Sequence, residues 1–416
     1  MIKSEFNRNV LTIITGTSIA QALPVAISPI LTRIYTPEDF GVFTMFIAIS
    51  TIFGSIATAR YELAIMLPEA DEDALNIAAL GVLIAAGLAL VLLIIVTIFN
   101  NKITEALGNS GIGFWLYFVP VPVFFMGLFN VLQYFNNRIK CYKDIATATI
   151  YKALILATVT LAVGFIKTGA GGLISGQIFS TIFANMKLFK NTLSKYDVRK
   201  IITGQRMKAL AIRYQDFPKY SMWAAMANTL SHNLTSILIS SCYSVATLGF
   251  YSLGQRVLGM PTSLIGTSIS QVFFQAATEE KQKTGKAINT FDSTVKKLVL
   301  IGVPCFTILF FVVEHLFAIV FGENWRIAGT YAKILMPLFA VQFVMSSVSI
   351  INSVFEKQKV ALSWQVILLV LSLAVVVFAN MTNLSFINFL MFFSFVICAH
   401  YLFLYLIMRV ISRGKL

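Results

Sequence analysis

The chain has 416 residues, of which 57% are hydrophobic and only 12% charged, with a mean hydropathy of +0.81; this excludes a water-soluble domain and implies a polytopic membrane protein. Its formal net charge is +14, from 32 lysines and arginines against 18 acids, but no RNA- or DNA-binding motif accompanies the excess and nucleic acid is not an expected partner. Cys141, Cys242, Cys305 and Cys398 stand singly, without metal or redox spacing, so no disulfide framework, metal or cofactor is expected.

An apolar run of about 20 residues rises about 30 Å as a helix, enough to cross the hydrocarbon core. Runs between charged or turn-rich breaks predict spans near residues 10–31, 40–59, 75–98, 113–134, 146–166 and 172–190, then 218–242, 249–276, 297–320, 330–352, 361–379 and 385–408. The expected fold is therefore all-α, with twelve transmembrane helices. A β-barrel is excluded because runs such as residues 77–99 are apolar on every face rather than alternating. The first run has basic flanks, but it is long, contains Pro24 and Pro29 and lacks a small-x-small cleavage site, which reads as an uncleaved first helix.

The longest polar connection, residues 191–217, divides the chain into an N-terminal lobe (1–190), a cytoplasmic basic linker (191–217) and a C-terminal lobe (218–416). The halves resemble each other: Tyr35 to Phe43 aligns with Tyr243 to Tyr251 at an offset of 208, in the turn between the first two helices of each half. With an even number of spans per half, the repeats run parallel, an arrangement suited to two pseudo-symmetric six-helix bundles rocking about a central cavity. No Walker motif is present, so ATP hydrolysis is not expected on this chain.

Cations set the orientation. Lys3, Arg8, Arg60, Arg138, Lys140, Lys143, nine cations from Lys187 to Lys219, five from Lys281 to Lys297, Lys357, Lys359, Arg409, Arg413 and Lys415 fall on one side. Arg33, Lys102, Lys167 and Arg326 fall on the other. The bias places both termini in the cytoplasm, and the basic loops attract anionic lipid headgroups.

The acids fall in loops or at helix ends, whereas Lys152 and Arg256 lie inside apolar runs. A charge there costs roughly 2.5–3.5 kcal/mol even on the lenient insertion scale and marks a functional-site candidate. A pathway lined by cations suits an anion, and the guanidinium fork of Arg256 suits phosphate. For Lys152 the competing reading is a stem reaching back to the headgroups. Arg60 has Glu62 as a neighbour to pair with, and Arg33 has Glu38 and Asp39 for an outer ion pair. Thr17 and Gln21 in the first helix, Asn228, Ser231, His232 and Thr235 in the seventh, and Ser252 and Ser263 beside Arg256 in the eighth recur at helical spacing. Such faces either line a hydrated passage or bind helices together. His232, His400 and the Glu314–His315 pair are candidate proton-coupling groups. The run Glu69, Asp71, Glu72, Asp73 reads as a solvated connector. Pro24, Pro29, Pro120, Pro122, Pro261 and Pro304 predict interruptions of their helices.

The segments LTRIYTPEDFGVF (31–43), ARYELAIMLP (59–68) and YSLGQRVLGMPTSLIGTSISQVFFQ (251–275) resemble bacterial polysaccharide (O-antigen type) flippases of the multidrug/oligosaccharidyl-lipid/polysaccharide exporter superfamily. The resemblance covers essentially the whole chain. It implies a non-enzymatic inner-membrane protein that moves an oligosaccharide on undecaprenyl pyrophosphate between leaflets by alternating access, as in O-antigen and lipopolysaccharide synthesis. It further implies a central cationic cavity, to which Arg33, Arg60, Lys152 and Arg256 are matched. Membrane lipids and other polysaccharide assembly proteins are the expected partners of a monomer. Two other readings stand beside it: a drug or cation antiporter of the same superfamily, whose mark would be a buried acid, and a membrane enzyme of lipid-linked sugar metabolism, whose mark would be a catalytic carboxylate pair on a sizeable loop.

Overall fold

The computed structural model describes residues 16–166, 169–195 and 201–414; the expected opening of the first helix at residues 10–15 and the part of the linker at 196–200 lie outside the described residues. Among the described residues the fold is helical, with no strand. Helical segments occupy all twelve expected positions. They are α1 (16–26) with α2 (Ser28–Ile34), α3 (Pro37–Gly54), α4 (Asp71–Ala106), α5 (Pro120–Arg138), α6 (Tyr142–Ile166) and α7 (Gly171–Lys195), followed by the linker helix α8 (Gly204–Arg213). Then come α9 (Met222–Cys242), α10 (Val245–Pro261) continued by α11 (Thr267–Thr284), α12 (Ile288–Phe321), α13 (Arg326–Val348), α14 (Gln358–Met381) and α15 (Phe386–Ser412). Among the described residues six helices are individually long and apolar enough to cross a membrane, or seven if the pair Ser110–Leu116 and α5, bent by 55°, counts as one span.

Several boundaries exceed the apolar runs because charge at a helix terminus stabilises rather than ends the helix. Asp71, Glu72 and Asp73 form the first turn of α4, where carboxylates favour the partial positive charge of the helix N-terminus. The α12 terminus is capped from the preceding helix: Glu280 accepts from the backbone N–H of Asn289 at 3.1 Å and of Thr290 at 2.7 Å. Prolines act as expected at three places. The predicted span at 113–134 is bent at a break just before Pro120. α1 gives way to α2 at Ile27, between Pro24 and Pro29, and after Pro261 the chain makes a π-helical turn, Thr262–Gly266, before α11. Pro304 departs from expectation, since α12 runs through it unbroken.

The chain forms two compact units, Met1–Ala246 and Thr247–Leu416. This division falls one span later than the 191–217 loop, because α9 packs on α3 through a face where Ser231, Thr235, Ser236 and Ile239 are buried. In the first unit α5 packs on α4 and α7, and α6 packs on α7; in the second, α13 packs on α12 and α15, and α14 packs on α15. The same neighbour pattern thus recurs in both sets of helices. Tyr35 and Tyr243, paired by the sequence repeat, each occupy the C-cap position of a helix with one residue before the next.

Two local assemblies depart from the sequence reading. The basic linker is not simply a connecting loop, for α8 lies against the start of α4. Leu210 enters an apolar cluster with Tyr61, Ile65, Leu75, Ile77 and Phe135, and burying one such side chain from water contributes about 1.5–3 kcal/mol. Asn76, wholly buried, accepts from the Thr203 N–H at 2.9 Å and donates to the Ile201 carbonyl at 3.1 Å. The Tyr61 hydroxyl donates to the Ala211 carbonyl at 3.0 Å. The acidic run is likewise no free connector. Asp71 accepts from Arg138 at 2.8 Å, and Glu72 and Asp73 both pair with Arg206 of α8, which raises the Arg206 pKa through the Glu72 hydrogen bond and its charge.

Candidate functional site

The expected cations occupy distinct stations. Arg33 is in the last turn of α2, exposed. Its expected partner Asp39 closes a capping box with Thr36 instead, and no ion pair joins Arg33 to Glu38 or Asp39 among the described residues. Arg60 lies beyond the other end of α3, whose 18 residues rise about 27 Å. Arg33 and Arg60 therefore do not form one cluster.

Arg60 stands in the left-handed region (φ 65°) after Ala59 at φ 48°, where the chain leaves α3 and enters the 3-10 turn Tyr61–Met66. Two successive non-glycine residues at positive φ are costly and persist only when surrounding contacts fix them. Here the fixing contact is electrostatic: Arg60 Nη1 lies 3.1 Å from Glu62 Oε1, and the Thr58 hydroxyl donates to the other carboxylate oxygen. Glu62 is 1% exposed. It keeps the place past a helix end that the sequence implies, yet it is buried there. Its neutralisation by Arg60 reconciles the two, since a buried carboxylate persists when paired and hydrogen-bonded.

Lys152 lies within α6. α6 begins at Tyr142, so Lys152 lies ten residues, about 15 Å, from that end. The competing reading has its stem turned toward that end. The ammonium instead lies 5.3 Å from the centroid of the Phe129 ring of α5, and no carboxylate among the described residues pairs with it. A cation over an aromatic face keeps an attraction worth about 0.5–2 kcal/mol, while its charge stays uncompensated.

Arg256, half-buried, lies in α10 five residues before Pro261. Pro261 has no N–H to give the Val257 carbonyl, and the π turn that follows changes the helical register. The simple helical spacing that placed Ser263 beside Arg256 therefore no longer holds beyond Pro261. The Ser252 and Ser263 hydroxyls donate to Gly249 and Met260 carbonyls at 2.9 and 3.0 Å, leaving only acceptor capacity for another group.

The seventh-helix face is split. Ser231 and Thr235 are buried, Ser231 donating to the Ala227 carbonyl at 2.8 Å, Asn228 is half-buried with Oδ1 unpartnered, and His232 is exposed. Ser231 and Thr235 are thus helix-packing groups on α9. Thr17 is half-buried and Gln21 exposed on α1. His400 is buried, stacked on Trp364 at 3.3 Å. Glu314 lies inside α12 rather than at its end and pairs with Lys333 at 3.5 Å.

A helical membrane protein with cations held inside its apolar helices is the class these observations define. The chain belongs to the polysaccharide biosynthesis protein family, whose model matches residues 30–330. A curated relative is the succinoglycan biosynthesis transport protein ExoT of Rhizobium meliloti (strain 1021), 22% identical over 306 residues, which are 72% of this chain and 59% of that protein. The chain thus spans about three fifths of that relative's length. Among solved structures, the lipid II flippase MurJ in an inward closed conformation matches with a TM-score of 0.69 at 12% identity, over 95% of this chain and 86% of that one. A multidrug resistance MATE family transporter of the MOP superfamily, inward-facing, matches with a TM-score of 0.65 at 11% identity, over 96% and 94%. A MOP superfamily transporter from Pyrococcus furiosus matches with a TM-score of 0.65 at 12% identity, over 98% and 96%. The fold is that of MOP-superfamily transporters.

Proposed function

We propose that the protein is a flippase of the bacterial inner membrane, moving an oligosaccharide on undecaprenyl pyrophosphate from the cytoplasmic to the periplasmic leaflet by alternating access, without covalent chemistry. The observation that carries this reading is Lys152, a cation about 15 Å inside α6 whose only described close partner is an aromatic ring. A pyrophosphate supplies the missing countercharge: at 4 Å and an effective dielectric near 20, one such pair is worth about 4 kcal/mol before desolvation. In the second unit, Arg256 is a further candidate cation, its fork suited to two phosphate oxygens. The family match to polysaccharide biosynthesis proteins and the named transport relative support the substrate class. A cation antiporter needs a carboxylate free to hold its cargo, and the buried Glu62 is already neutralised by Arg60.

The test is leaflet-resolved transport in proteoliposomes carrying a labelled undecaprenyl-pyrophosphate oligosaccharide, with a cationic dye alongside. Wild type moves the glycolipid, Lys152→Met slows it by about tenfold or more, and Lys152→Arg keeps part of the rate. Dye movement without glycolipid movement overturns the proposal, as does full activity of Lys152→Met at normal abundance.

A further inference from the structure

Within the second unit, α12, α13 and α15 line an open cavity of about 540 Å³, within the size range of small-molecule sites. Its walls are mostly apolar, among them Ile334, Pro337, Ile387 and Met391, yet they hold Glu314 and Lys333. These two charges pair at 3.5 Å, and their side chains remain 29% and 34% exposed. Lys333 is further held by the Phe310 ring, 5.4 Å from its centroid.

The depth of the pair identifies its surroundings. The exposed Glu323–Arg326 ion pair marks the wet end of α13, and Lys333 lies seven residues, about 10 Å, further in. With a hydrocarbon core of about 30 Å inside a bilayer of about 40–45 Å, that depth is the border between headgroups and chains. Phe311, Phe395 and Met391 beside the cavity are exposed, Phe311 and Phe395 each 72%, as expected of side chains facing lipid tails rather than water. An ion pair about one-third exposed and opening onto hydrocarbon is costly unless a polar group covers it.

The charges select the cover. An anion meeting Lys333 stands against the Glu314 carboxylate, and a cation meeting Glu314 stands against Lys333. A molecule carrying both charges a few ångströms apart satisfies both at once. We propose that this cavity is a binding site for a zwitterionic phospholipid with a primary ammonium, a phosphatidylethanolamine, its phosphate on Lys333, its ammonium on Glu314 and its chains along the apolar wall. A quaternary ammonium fits the charge but donates no hydrogen bond to the carboxylate, so phosphatidylcholine binds more weakly.

Native mass spectrometry of the full-length protein in detergent, titrated with phosphatidylethanolamine, phosphatidylcholine and phosphatidylglycerol of identical chains, tests this. Wild type retains phosphatidylethanolamine about tenfold better than either other lipid, one charge-assisted hydrogen bond being worth about that factor. Glu314→Gln erases the preference over phosphatidylcholine and phosphatidylglycerol, and the double variant Glu314→Lys with Lys333→Glu, which keeps an ion pair and the helix packing, restores it with the headgroup reversed. Equal retention of all three lipids by wild type overturns the site, as does an unchanged preference in Glu314→Gln. The readout does not involve glycolipid movement, so it stands or falls separately from the proposed transport activity.

Discussion

At the scale of single residues, Tyr35 is a tight constraint on the first unit. Its ring is 2% exposed, and its hydroxyl donates to the Thr160 carbonyl of α6 at 2.6 Å, so the turn between α2 and α3 is pinned 125 residues away along the chain. The approach is possible because Gly164 of α6 and Gly172 of α7 present no side chain there; a Cβ on either runs into the Tyr35 phenol. Gly172→Ala should therefore cost about 1–3 kcal/mol through overpacking, read as a lower melting temperature in detergent by fluorescence-detected size exclusion. In a Tyr35→Ala background the same substitution should cost much less, because the atom it strikes is gone. Equal cost in both backgrounds would mean that Tyr35 is not what Gly172 accommodates.

At the scale of elements, the docked linker helix α8 has the largest consequence. Its attachment to α4 passes through Asn76, which satisfies one backbone donor and one backbone acceptor of the linker. Asn76→Leu keeps the volume and removes both partners, leaving each group with an unmet hydrogen bond worth about 1–3 kcal/mol if it stays buried. The expected outcome is release of α8: amide exchange across residues 201–213 rises by at least about tenfold while α13 and α15 are unchanged. Unchanged exchange in that stretch would show that Leu210 and Arg206 hold the helix without Asn76. The contrast between α8 and the long helices explains what the sequence disclosed. Apolar length is a local property, so α4, α12 and α15 are readable from their own residues, although a reading that stops at charges clips Asp71 to Asp73 from α4 and Ile288 to Lys296 from α12. α8 is ten residues in a basic stretch, and its single deeply buried side chain, Leu210, gains meaning only from cluster partners on α4, on α5 and in the 3-10 turn. The site residues divide in the same way. Lys152 stands out because its own neighbours are apolar, whereas the burial of Glu62 depends on the backbone turning at Ala59 and Arg60. The Glu314–Lys333 pair joins two helices, and its spacing in the chain carries no helical signature.

At the scale of the whole molecule, the charge distribution makes a definite prediction about orientation in the membrane. If the basic loops face the cytoplasm, then α8, with exposed Lys208 and Arg213, lies on the inner side, and the short turn at Ser110 between α4 and the bent pair lies on the outer side. All four cysteines are free thiols, so a cysteine-free background is needed before a reporter thiol is placed. Ser110→Cys and Lys208→Cys, both at exposed positions, should then differ in their reaction with a membrane-impermeant maleimide applied to spheroplasts. Ser110→Cys labels in intact spheroplasts; Lys208→Cys labels only after permeabilisation. The reverse pattern would invert the topology and with it the direction of the proposed transport. It would also turn the nine cations from Lys187 to Lys219 away from the leaflet whose anionic headgroups attract them, at a cost of about 1 kcal/mol for each one near the surface. That cost is why the expected labelling pattern puts α8 on the cytoplasmic side.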